Sequence, residues 1–213
     1  MRIIAGKFKA KRINSPKTEK TRPTLDRVKE ALFSIIDSYI DEGEILDLFG
    51  GTGNLALEAI SRGASFAWIN DKESLSISTI LSNVKLTNTG EYVKITKKDY
   101  AKCLNQIVKE DKLFDVIFLD PPYDSNLAID SLNFISESED KVLKKNGIIV
   151  YETDKKIMTA QSEPSHNFII LLLSVILLHS SKKDILFKIS LIAGVLISIG
   201  ISLFNDLCPG VLD

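Results

Sequence analysis

Apolar and polar positions along this chain fall into two kinds of block, and from residue 45 onward the two kinds take turns. Residues 45–49 (ILDLF), 66–70 (FAWIN), 92–95 (YVKI), 114–119 (FDVIFL) and 147–151 (GIIVY) are short and rich in β-branched and aromatic residues, so each is expected as a strand. Between them, residues 55–61, 73–86, 100–109 and 127–143 carry apolar residues at helical spacing. Repeated strand–helix units imply an α/β fold, a Rossmann-like and mostly parallel sheet with helices on both faces. Upstream, Val28, Ala31, Leu32, Ile35, Ile36 and Tyr39 recur at helical spacing. They predict a core-facing helix from a Thr24 cap to about residue 40, with Asp26 in the first turn, where the helix dipole favours an anion. Residues 3–13 alternate apolar with basic and are expected as an edge strand or hairpin with one basic face.

Composition changes this picture in two places. A net charge of −1 over 213 residues conceals an uneven distribution, because residues 1–29 hold ten Lys or Arg against only Glu19 and Asp26. A basic arm beside an acidic body points to a polyanionic partner, RNA or DNA before membrane lipid. Two cysteines, Cys103 and Cys208, exclude a disulfide framework and a CxxC metal site, and two histidines leave no His-based metal centre to expect. The N-terminus lacks the long apolar stretch of a signal peptide, so a cytoplasmic location is expected.

Candidate chemistry sits at the carboxyl ends of the expected strands. The first is followed by "DLFGGTGNLALEA", Asp47 to Ala59, whose glycines let backbone N–H groups approach a ligand closely. Its spacing is neither the dinucleotide GxGxxG nor a P-loop. It resembles motif I of the class I S-adenosylmethionine-dependent methyltransferases, with Asp47, Gly51 and Gly53 at the motif's positions and Phe49 among the cofactor residues. The second strand ends at Asp71, 24 residues after Asp47, where an acid can accept both ribose hydroxyls of a nucleoside cofactor. Glu73 competes for that role. Asp99 follows the third strand, at a position that in this superfamily meets the adenine amine; taken alone it reads almost equally as a helix N-cap.

The fourth strand runs into "DPPY", Asp120 to Tyr123. Two prolines cannot continue a ladder, so the strand ends in a stiff elbow where open α/β sheets bind ligands. The elbow resembles the (N/D)PPY motif of methyltransferases acting on exocyclic, conjugated nitrogens. That resemblance implies that the Asp120 side chain and the Pro121 carbonyl accept hydrogen bonds from the target amine, with Pro122 stiffening the turn and Tyr123 stacking on a flipped base. Five stretches, "MRIIAGKFKAKRI", "TRPTLDRVKEALFSII", "DLFGGTGNLALEAISRGA", "DVIFLDPPY" and "IIVYETDKKI", occur in the order seen in the RsmD-type 16S ribosomal RNA guanine-N2 methyltransferases. The resemblance spans about residues 1–157 and implies S-adenosyl-L-methionine as cofactor and 16S rRNA, or the assembling small ribosomal subunit, as partner of a monomer. It places the basic arm beside the catalytic face, with Arg2, Lys7, Arg12, Arg22 and Arg27 as RNA contacts. DNA adenine-N6 methylation shares the same elbow and is the alternative enzyme reading.

From Met158 the chain departs from that family's pattern, which divides it into a methyltransferase domain, 1–157, and an apolar, helical tail, 158–213. Residues 168–178 form an almost wholly apolar run of 11, and residues 189–204 are uncharged for 16, short of the roughly 20 that span a bilayer. Membrane-associated helices are one reading of the tail, helices packed on the sheet edge the other. A reading from a different class is an inactive, membrane-tethered remnant of the enzyme.

Overall fold

The strand formers at Phe114–Leu119 build β4, a strand buried on both faces. In the computed structural model, which describes residues 1–15, 23–121, 126–138, 141–153 and 169–174, it lies at the centre of a six-stranded sheet. All described residues belong to one compact unit, Met1–Val175. The other strands are β1 (Glu44–Asp47), β2 (Phe66–Asp71), β3 (Val93–Lys97), β5 (Leu143–Thr153) and β6 (Ile169–Ser174). Their order is β3-β2-β1-β4-β5-β6, and every pairing is parallel. The helices are α1 (Pro23–Ile35), α2 (Asp37–Ile40), α3 (Asn54–Arg62), α4 (Ser74–Thr87), α5 (Tyr100–Lys109) and α6 (Leu127–Glu137).

Alternate strand residues face two separate cores. Ile45, Ile69, Val116, Phe118 and Ile148 pack with Phe33, Ile36, Leu57 and Ile80 from α1, the residue beyond it, α3 and α4. Leu46, Trp68, Ile117 and Ile149 pack with Cys103, Leu104, Ile107 and Ile135 from α5 and α6. A parallel sheet buried on both sides is what near-continuous apolar strands require.

Four expectations need correction. The first helix begins at Pro23, a residue preorganised for the first helical position, and Thr24 lies inside it. It also breaks at Ile36 before α2, next to Ser34, whose hydroxyl donates back to the Glu30 carbonyl and competes with the helix ladder. Strand β5 starts at Leu143, inside the stretch expected as helix, with a register shift before Ile148 that accommodates the polar Lys144–Lys145–Asn146. Ile169–Ser174, expected as part of an apolar helix, runs as a strand paired with Ile148–Thr153, because a short apolar run satisfies strand and helix alike. The rest of 158–213 lies outside the described residues. Among the described residues no helix is long and apolar enough to cross a membrane.

Residues 1–13 form a hairpin rather than a strand of the sheet. Arg2 and Arg12 pair across it, a 3-10 turn at Gly6–Phe8 closes it, and Ile3 and Ile13 point into the core. Its Lys7, Lys9, Lys11 and Arg12 are exposed, so the expected basic face is present.

Candidate active site

Chain order places the sheet's reversal between β1 and β4: from β1 the chain builds outward to β2 and β3, then returns to lay β4 on the other side. Ligands of open α/β sheets bind at the carboxyl ends of the strands flanking such a reversal. Two of the expected site segments, the glycine loop and the proline elbow, leave those two ends. Asp47 pairs in register with Phe118, and Asp120 follows two residues later.

The loop after β1 is held from below and open above. The Leu48 N–H donates to the Phe118 carbonyl at 3.2 Å and the Gly50 N–H to the Asn70 carbonyl at 2.8 Å. Gly51 and Gly53 adopt left-handed φ of +53° and +76°, which side chains rarely tolerate. A Cβ added at Gly51 would meet only the Phe49 carbonyl, at 4.0 Å, so the loop's outer side is a shallow cradle. Gly53 then begins α3, and the Leu57 N–H donates to its carbonyl at 2.9 Å.

The acids divide into different roles. Asp47 is 2% exposed, and burial pushes its carboxyl up to about 7, aided by the charge of Asp71 and opposed by the Ala56 N–H. Asp71 clamps the loop: its carboxylate accepts from the Gly51 N–H at 2.9 Å and the Glu73 N–H at 2.8 Å. Glu73 itself is exposed, with no side-chain capping bond. Asp99 caps α5, accepting from the Ala101 N–H at 3.0 Å. Beside it, the rings of Phe49 and Tyr100 lie 6.3 Å apart. Two acids near the switch point, a third at the start of α5, a backbone cradle and an aromatic pair have the chemistry that a cationic nucleoside cofactor such as S-adenosylmethionine needs.

Asp120 is half-buried and Pro121 buried at the start of the elbow. Pro122 and Tyr123 lie outside the described residues, as does Arg22. Of the basic candidates, Arg2, Lys7, Arg12 and Arg27 are all exposed, and Arg2 is paired with Asp26 at 2.9 Å. Among the described residues no group of three or more His, Cys, Asp or Glu could hold a metal ion.

Sequence reasoning missed the residues that seat the arm. Glu58 in α3 is fully buried and accepts from the Ile4 and Ala5 N–H groups, at 2.8 and 3.0 Å. It also pairs with Lys29 and Arg62, both at 2.9 Å. Burial alone would raise the Glu58 carboxyl, but the Ile4 N–H and the two cations outweigh it and hold it below the usual range. Lys29 adds hydrogen bonds to the Arg2 carbonyl at 2.7 Å and Asn54 Oδ1 at 2.8 Å. Gly6 completes the seat, since a Cβ there would lie 1.8 Å from the Ser61 carbonyl oxygen. The available signal was a glutamate inside the apolar LALEAIS, four residues before an arginine. Asn70 was missed too; its buried amide donates to the Leu48 and Lys98 carbonyls, tying the ends of three strands together.

Comparison with known proteins agrees with this geometry. A family model described as conserved hypothetical protein 95 matches residues 1–169. The putative rRNA methyltransferase YlbH of Bacillus subtilis is 36% identical over 157 residues, covering 74% of this chain and 84% of the relative. Ribosomal RNA small subunit methyltransferase D of Haemophilus influenzae is 35% identical over 156 residues, covering 73% and 79%. A crystal structure of a putative methylase from Haemophilus influenzae superposes with a TM-score of 0.55 at 30% identity, covering 74% of this chain and 85% of that one.

Proposed function

Because the chain belongs to the RsmD family of S-adenosylmethionine-dependent methyltransferases, we propose that it transfers one methyl group to the exocyclic N2 of a guanine in 16S ribosomal RNA. The observation that carries this reading is the position of the Asp120–Pro121 elbow, on the strand next to the Asp47–Gly53 loop at the sheet's reversal. S-adenosylmethionine, when bound, supplies an electrophilic methyl group on a sulfonium. The work left to this chain is binding and orientation.

An exocyclic amine conjugated to a purine ring is a poor nucleophile, because its lone pair is delocalised. The Asp120 side chain and the Pro121 carbonyl accept hydrogen bonds from the amine's two N–H groups, which localises the lone pair and aims it at the donor. As the N–C bond forms the sulfonium S–C bond breaks, and the amine then gives up one proton. Orientation of this kind supplies several kcal/mol of a barrier, and dipoles aimed at developing charge add to it. Tyr123 stacks on the flipped base, worth about 1–3 kcal/mol by analogy with other base-stacking sites. Asp47, Phe49, Gly51, Gly53, Asp71 and Asp99 hold the cofactor, with Asp71 acting through the loop it clamps. Lys7, Arg12, Arg22 and Arg27 meet RNA phosphates, and Arg2 joins them on release from Asp26. The catalytic unit is assigned to residues 1–157, since every one of these groups precedes Met158.

Asp120→Ala tests the assignment. Its kcat should fall by about two to three orders of magnitude, while calorimetric affinity for S-adenosylhomocysteine stays within about twofold. An unchanged kcat would remove the elbow from the mechanism.

A further inference from the structure

Asn83, in the middle of α4, is fully buried and bonded in two directions. Toward the hairpin, its Oδ1 accepts from the Asn14 N–H at 2.7 Å and its Nδ2 donates to the Asn14 carbonyl at 3.0 Å, a two-bond backbone clamp. Toward the glycine loop, the same Nδ2 donates to the Thr52 carbonyl at 2.9 Å. Thr52 is the residue between Gly51 and Gly53. Two more junctions run parallel to this one: the Thr52 hydroxyl meets Met1 Sδ at 3.5 Å, and Lys29 bridges the Arg2 carbonyl and Asn54 Oδ1.

Arm residues 1, 2 and 14 are therefore joined to loop residue 52 and to Asn54, the first residue of α3, by side chains that are themselves largely buried. A shift of the Thr52 carbonyl would leave one Asn83 N–H buried without its partner, unless Asn83 followed it and carried Asn14 along. Gly51 and Gly53, on either side, are the residues whose backbone can adjust most freely to a ligand.

We propose that Asn83 is a positioning residue that couples the cofactor loop to the N-terminal arm, so that cofactor bound at the loop orders the arm, and RNA bound at the arm tightens the cofactor. The inference rests on the reading above, in which the loop holds the cofactor and the arm meets RNA. Linkage makes the coupling reciprocal: the factor by which RNA tightens cofactor equals the factor by which cofactor tightens RNA.

Hydrogen exchange on the full-length chain, with and without saturating S-adenosylhomocysteine, tests it. The amides of Ile3, Ala10, Ile13 and Asn14 all donate within the arm or to Asn83, and their exchange should slow by about tenfold on binding. In Asn83→Leu the ligand should still bind, but that slowing should vanish, together with any tightening of ligand affinity by a 16S rRNA fragment. Asn83→Asp keeps the acceptor for the Asn14 N–H and loses both Nδ2 donors, to the Asn14 and Thr52 carbonyls, so it should behave alike if the leucine variant fails to fold. Wild-type protein that binds the ligand without a change in arm exchange overturns the coupling. Absence of calorimetric binding to folded wild type overturns the cofactor reading itself, and the coupling with it.

Discussion

Asp47 carries a carboxyl whose burial costs the ligand-free protein stability. Its carboxyl is raised to about 7 by burial, whereas an unfolded chain would ionise it near 3.8. The folded state therefore binds a proton that the unfolded state releases between those values. Ligand-free protein should lose stability as pH rises from about 4 to about 7, and the deficit should persist above. Asp47→Asn removes the buried charge while keeping an acceptor for the Ala56 N–H. The melting temperature of the ligand-free variant should exceed wild type at pH 8 and match it near pH 4, while S-adenosylhomocysteine affinity falls by at least about tenfold. Equal melting curves at pH 8 would show that the carboxylate is not penalised. The strand-end motif made Asp47 legible as a candidate site acid, but its burial depends on β2 and β4 flanking β1, which no local pattern reveals. Asp71 was legible as an acid at a strand end; its bond to the Gly51 N–H was not, because that contact joins the glycine loop to the end of β2, 20 residues away.

At the scale of elements, α3 carries the hairpin, through Glu58 and Ser61, which accept from its backbone N–H groups. The bounds of α5 and β4 agree with expectation, since Asp99 caps the one and Asp120–Pro121 ends the other. Glu58 was not legible, because a glutamate in a helix ordinarily faces water and only the approach of residues 4 and 5 buries this one. Removing one member of a buried ionic network strands its partners, so Glu58→Ala should cost about 3–5 kcal/mol in denaturant unfolding. Replacing Glu58 and Lys29 together by apolar residues should cost less than the sum of the single changes. The Glu58 carboxyl is held below its ordinary range, so its contribution is present above the unfolded value and is lost as pH falls through the folded one. Gly6→Ala forces a side chain against the Ser61 backbone at a φ of +78°, and should free the hairpin to cleavage by trypsin at its Lys and Arg residues while the sheet stays folded. Unaltered cleavage kinetics would mean that the hairpin is not seated through Gly6.

At the scale of the molecule, the parallel sheet was legible because strand and helix periods take turns from residue 45 to 151. Its strand order, and with it the reversal between β1 and β4, was not, since no local period says which strands pair. The strand nature of Ile169–Ser174 was not, since an apolar run that short carries no period of its own. Strand order brings the Asp47–Gly53 loop and the Asp120–Pro121 elbow to adjacent strand ends, and the hairpin sets a basic face on the same chain. Salt should weaken RNA binding steeply through that face, and each Lys7 or Arg12 replacement by Ala should reduce the salt slope by about one. The most direct measurement is to incubate the full-length chain with 16S rRNA, free or in small subunits, and S-adenosylmethionine bearing an isotope-labelled methyl group, then digest the RNA and identify the labelled nucleoside by mass spectrometry. Label in N2-methylguanosine, absent with Asp120→Ala, is the predicted result; label on adenine N6, or none from a folded chain that binds S-adenosylhomocysteine, would contradict it.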